Sequence, residues 1–86
     1  MAAHILMEDA ASPLARLFGQ RLRERRTALQ LTQAMLFEQT GVAASYISLI
    51  ERGRSNPSLD VIDALSRAVG SSASEMLRND QETNPL

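Results

Sequence analysis

Apolar residues recur along this chain at spacings of three and four, in short runs parted by polar or glycine-bearing breaks, which is the rhythm of amphipathic helices. Alternation with a period of two is absent, as are hairpin dipeptides between β-branched runs, so the pattern predicts an all-α chain. Ser12-Pro13 supplies an N-cap followed by a proline suited to the first helical position. The first helix is therefore predicted over 13–29, with an apolar stripe of Leu14, Leu17, Phe18, Leu22 and Leu29. Thr32 caps a second helix over 33–40, whose apolar positions are Met35 or Leu36 and Phe37, and Gly41 breaks it. A third helix, 43–52, turns Ile47 and Ile50 inward. After the loop "GRSNP", Ser58 caps a fourth helix over 59–69 with Leu59, Ile62, Leu65 and Val69 inward and Asp60 set against the helix dipole. Gly70 ends it. Ser72 and Glu75 have capping-box spacing and open a short fifth helix over 73–78. The expected fold is a compact five-helix bundle over 12–78, between a flexible N-terminal tail at 1–11 and a C-terminal tail at 79–86.

Two charged residues disturb the stripes. Arg26 falls four after Leu22 and three before Leu29, and Glu51 falls four after Ile47, so each lies on an inward face. An unpaired charge there is expensive to desolvate. The expectation is a structural ion pair, Arg26 with Glu51, that holds the first helix to the third. The alternative is that both side chains snorkel outward.

Composition narrows the chemistry. The 86 residues suit one domain, and cysteine is absent, which removes disulfides, thiolate nucleophiles and cysteine-containing zinc sites. His4 is the single histidine, so imidazole-based catalysis and metal binding are not expected. The start "MAAHILMEDAASP" has acids where a signal peptide has a basic region, and its apolar run is too short to span a membrane. A soluble, cytoplasmic protein without a cofactor or a bound metal is expected, and no enzyme.

The formal net charge is −1, but charge is segregated. From Arg16 to Arg54 seven arginines (16, 21, 23, 25, 26, 52 and 54) stand against Glu24, Glu38 and Glu51, a local balance of +4. Glu8 and Asp9 precede this segment, and the acids of the last third follow it. Such a distribution is compatible with nucleic acid, though arginines on a helix face are often simply solvated.

The stretch "LTQAMLFEQTGVAASYISLIERGRSNPSLDVIDALSRAVGSSASEML" resembles the helix-turn-helix domain of the phage-repressor (Xre-like) transcription factors. The likeness rests on Thr32-Gln33, Gly41-Val42, "YISLIERG" and "NPSL" at the family's spacing, and runs from about Leu17 to Leu77. It is most like the small members made of one such domain, among them the controller proteins of restriction-modification operons. The resemblance implies a lambda-repressor-like fold in which the second helix crosses the DNA backbone and the third enters the major groove.

On that reading Thr32 and Gln33 open the second helix, where free N–H groups and the positive dipole end favour a phosphate. By family likeness the Gln33 amide also braces the start of the third helix. Facing out from the third helix are Ala44, Ser45, Ser48, Leu49 and Arg52. The two serines are suited to base edges or phosphates, and Leu49 to a thymine methyl or a dimer contact. Tyr46 either donates to a phosphate or covers the core. Arg52, Arg54 and Asn56 follow the helix, where the family grips the backbone. Departures from the family pattern are Phe37, where a small residue is usual because two helices cross closely and where Ala43 or Ala44 would have to compensate; Gln30, where glycine is frequent; Ala43, which has no hydroxyl to cap the third helix; and Ala44, where a polar base-reading residue is usual.

The function expected is a sequence-specific regulator of transcription, a repressor by default, bound to double-stranded operator DNA as a homodimer on an inverted repeat. Leu59, Val61, Met76 and Leu77 are the expected dimer contacts. Two alternatives stand beside it: an antitoxin-type regulator that binds both DNA and a toxin partner, and a protein-interaction module that has lost DNA binding.

Overall fold

In the computed structural model, which describes residues 11–79, five helices follow one another: α1 (Pro13–Ala28), α2 (Gln33–Thr40), α3 (Ala44–Glu51), α4 (Leu59–Ala68) and α5 (Ala73–Leu77). Their ends lie within a residue of the bounds expected from the sequence. The tails read at 1–11 and 79–86, Ala11 and Asn79 aside, lie outside the described residues. Hydroxyl caps set four of the five starts. Ser12 Oγ accepts from Ala15 N at 3.0 Å, Thr32 Oγ1 from Met35 N at 3.0 Å, Ser58 Oγ from Val61 N at 3.1 Å and Ser72 Oγ from Glu75 N at 3.2 Å. Each satisfies an amide that the helix itself leaves without a partner. Ala43, at the start of α3, makes no side-chain cap.

α1 packs on α3, α5 and α4; α2 packs on α3 and α4; and α5 closes against α4. The core they enclose is Phe18, Leu22, Leu36, Ile47, Ile50, Ile62, Leu65, Val69 and Met76. Tyr46 lies half-buried against it and covers the core. The buried Ser66 donates its hydroxyl to the Ile62 carbonyl at 2.7 Å.

Four apolar positions expected in the stripes are exposed. Leu14 and Leu59 sit in the first turns of α1 and α4, and Leu29 lies just past the end of α1, where no facing helix reaches. Phe37 is 48% exposed, because Leu36 alone occupies the inward position of α2. Half of the ring is thus open to solvent. The tight approach is elsewhere. Gly19, in the middle of α1, lies against α3 so closely that a Cβ on it would stand 2.0 Å from the Ile50 carbonyl oxygen. Met76, expected at a dimer surface, is a core residue with 2% exposure, so nothing of it is left for a partner to cover.

Candidate nucleic-acid interface

The bend between α2 and α3 is a backbone device. Gly41 takes φ +79°, its N–H donates to the Phe37 carbonyl at 2.7 Å, and a Cβ there would meet nothing within 4 Å. The glycine is therefore needed for its left-handed conformation and not for space. Thr40 secures both sides of the bend: its hydroxyl donates to Leu36 O at 2.7 Å and accepts from Val42 N at 3.0 Å. These bonds fix the angle at which α3 leaves α2.

A second device fixes α3 against α1. Arg26 donates to Glu51 through two nitrogens, Nε to Oε2 at 2.7 Å and Nη2 to Oε1 at 2.9 Å, and through Nη1 to the Leu31 carbonyl at 2.9 Å. Gln33 Nε2 adds a third bond to Glu51 Oε1 at 3.1 Å. The Gln33 amide thus braces the last residue of α3 and not its start, because the amide lies beside the carboxylate that Arg26 already holds. The side chains of Arg26 and Glu51 are 13% and 3% exposed, so the two-pronged pair is largely shielded from water. The hydrogen bond to Glu51 is the main reason the Arg26 pKa is raised; partial burial opposes it, and Coulomb attraction to the same carboxylate adds to it.

With Ile47 and Ile50 buried and Glu51 held, the other side of α3 is left facing solvent. Ser45 and Leu49 are exposed, and Ala44 and Ser48 half-buried; neither serine hydroxyl takes part in a hydrogen bond among the described residues. Arg52 caps the helix end, its backbone N–H donating to Ser48 O at 3.1 Å, while its side chain and that of Arg54 are exposed. Thr32 and Gln33 stand at the N-terminus of α2 on the far side of the bend. Asn56 has a structural task as well: its Oδ1 accepts from the Ser12 backbone N–H at 2.8 Å and ties the loop after α3 to the start of α1.

The arginines divide into two groups that composition alone does not separate. Arg21 Nη1 donates to the carbonyls of Glu75, Met76 and Arg78, and Arg25 donates to Val69 O at 3.0 Å and Gly70 O at 3.2 Å. They serve as C-terminal caps for α4 and α5, satisfying carbonyls that a helix end leaves open. With Arg26 they hold the bundle together; Arg67 pairs with Asp63 and Arg78 with Glu75, and Arg16, Arg23, Arg52 and Arg54 are exposed without an ion pair among the described residues. These caps carry no local sequence signal, since their partners lie about fifty positions further on, beyond the reach of any helix periodicity.

The chain belongs to the Helix-turn-helix family, whose pattern matches residues 22–76. It is 42% identical over 52 residues to the immunity repressor protein of Bacillus phage phi105, across 60% of this chain and 36% of that one, so it spans little more than a third of that repressor's length. The crystal structure of the restriction-modification controller protein C.AhdI from Aeromonas hydrophila is similar in fold, with a TM-score of 0.67 and 42% identity over 72% of this chain and 94% of that one. The P22 c2 repressor, solved in complex with a synthetic operator, matches with a TM-score of 0.67 and 36% identity over 73% of this chain and 96% of that one. Five helices without a strand among the described residues make this the all-α repressor-type fold. None of these helices is long and apolar enough to cross a membrane.

Proposed function

We propose that this chain is a transcriptional regulator that binds double-stranded DNA in the cytoplasm, with α3 in the major groove and α2 across the backbone, and that it represses. The observation that carries the reading is the two-faced character of α3. One face is buried and clamped by Arg26 and Gln33 through Glu51, and the other presents Ser45, Ser48 and Leu49, with Arg52 and Arg54 exposed where the helix ends. A helix held so firmly on one side and left bare on the other suits a groove that admits a helix and reads short polar and methyl contacts. Ala44, Tyr46 and Asn56 border this surface, and Thr32 and Gln33 offer the N-terminal amides of α2 to a phosphate.

The working unit in this reading is a homodimer. A shallow apolar cleft lined by Leu14, Pro57, Leu59, Ile62 and Leu77 runs along one side of the bundle, and Leu59 is 75% exposed within it. A second copy covering Leu59 and Leu77 there, and the half-buried Val61 beside the cleft, would remove apolar surface from water and space two α3 helices for an inverted repeat. The regulator so described has no catalytic role. Selection of random duplex DNA by the purified protein at about 100 mM salt tests the reading. Enrichment of an inverted repeat with half-sites about 34 Å apart is the expected result. Failure to enrich any sequence would overturn it.

A further inference from the structure

We infer that Arg16, on α1 and outside the helix-turn-helix, is a third backbone-phosphate contact alongside Arg52 and Arg54. The inference rests on the DNA-binding reading above and adds to the surface assigned there. Arg52 and Arg54 flank Gly53, which takes φ +71° and has no side chain to fill the space above it. The stem of Arg16 occupies that space: its Cγ stands 3.3 Å, and its Cβ and Cδ 3.9 Å, from where a Gly53 Cβ would be. An arginine from the first helix is thus laid across the peptide that joins the two arginines at the end of α3.

Among the described residues nothing neutralises this group. Arg16 is exposed and engages in no hydrogen bond or ion pair among the described residues. Its helical neighbours at three and four positions are Ser12, Pro13, Gly19 and Gln20, none of them acidic, and no acid lies in the first turn of α1. The closest carboxylate along α3, Glu51, is already held by Arg26 and Gln33. The other α1 arginines with known partners, Arg21, Arg25 and Arg26, are turned to internal carbonyls and a carboxylate, and Arg16 is not. An arginine stem packed over the glycine that joins two exposed arginines, with Glu51 already held and no other acid beside them on α1 or α3 among the described residues, suits an anion. In a duplex the anion supplied at that place is a phosphate of the strand that α3 crosses as it leaves the groove. Arg16 then adds register and affinity without reading sequence.

The test is equilibrium binding of the full chain to duplex DNA across a salt series, with wild type, Arg16→Gln and Arg16→Lys compared. For Arg16→Gln the expected result is a several-fold loss of affinity, the same on an operator and on an unrelated duplex, and a fall of about 0.9 in the slope of log K against log salt. Arg16→Lys should restore the slope, since a phosphate contact needs the charge and not the fork. Thermal melts of the variants should match wild type, because the side chain is exposed. A wild type that binds with salt dependence, beside an Arg16→Gln slope that is unchanged, would overturn the Arg16 contact alone. A wild type that binds no duplex would overturn both this contact and the regulator reading.

Discussion

Gly19 of α1 touches the backbone of α3 at Ile50: any Cβ at that position would fall 2.0 Å from the Ile50 carbonyl oxygen, inside any permissible contact. The two helices meet backbone to backbone here, and the Arg26–Glu51 pair further along α1 locks the same two elements. Gly19→Ala should therefore force the helices apart or bend one of them, at a cost of about 2–3 kcal/mol. In a domain whose whole stability is of the order of 5–15 kcal/mol, urea denaturation would show this as a clear drop in midpoint. An unchanged midpoint would mean that the crossing is loose.

Removing one member of the Arg26–Glu51 pair should be worse than removing both. Arg26→Ala leaves a carboxylate that is 3% exposed facing only Gln33, and such orphaned charges cost about 3–5 kcal/mol. Arg26→Met with Glu51→Leu should lose far less than the two single changes added together, which a double-mutant cycle by urea denaturation measures.

Arg26 should not make stability depend on pH in the neutral range. Its folded pKa is raised, so the stabilisation it gives is complete below the ordinary arginine value and is lost only as pH climbs through the still higher folded one. Urea midpoints for wild type and for the double variant Arg26→Met with Glu51→Leu, followed between about pH 6 and 9, should differ by a constant amount. A difference that shrank across this window would require another titrating partner.

Gln30 should be improvable. It is the single non-glycine residue with positive φ among the described residues, at +60°, in the link between α1 and α2. A left-handed conformation costs a residue with a Cβ about 1–2 kcal/mol. Gln30→Gly relieves that and gives back part of the gain in chain entropy, so a net stabilisation of about 0.5–1 kcal/mol is expected. Differential scanning calorimetry would register a rise of a few degrees.

The start of α3 invites a similar repair. Ala43 sits at the N-cap without a side-chain hydrogen bond, while Ser12, Thr32, Ser58 and Ser72 cap the other four helices. Ala43→Ser should add about 1 kcal/mol, read as a raised melting temperature. No rise would show that the first turn of α3 is already satisfied by other means.

Much of this was readable from the residues. Caps are local, so Ser12, Thr32, Ser58 and Ser72 mark four starts without knowledge of the fold, and a helical wheel is enough to turn Arg26 and Glu51 inward together. The wheel does not say where a helix runs out of neighbours. Leu14, Leu29 and Leu59 lie on or near the right arcs but at helix ends, and a bundle this small has no second layer to cover them. Gly19 was missed although it carried a signal: a glycine amid good helix formers costs about 1 kcal/mol and, if kept, implies a packing reason. The expectation of a close crossing fell on Phe37 instead, because helix-to-helix distance is a property of two segments and neither one encodes it alone. The cleft of exposed leucines came only from the assembled bundle.

The bare face of α3 has a consequence for change. Its outward side chains at positions 44, 45, 48 and 49 contribute no hydrogen bond among the described residues, while the helix is aimed by Gly41, Thr40, Arg26, Gln33 and Glu51, by the Gly19 contact and by the buried Ile47 and Ile50. Exchanging the exposed pair, Ser45 and Leu49, should leave folding within about 0.5 kcal/mol of wild type. On the proposed function, such a chain would be a rewritable reader, a frame that stays put while the word it recognises is replaced.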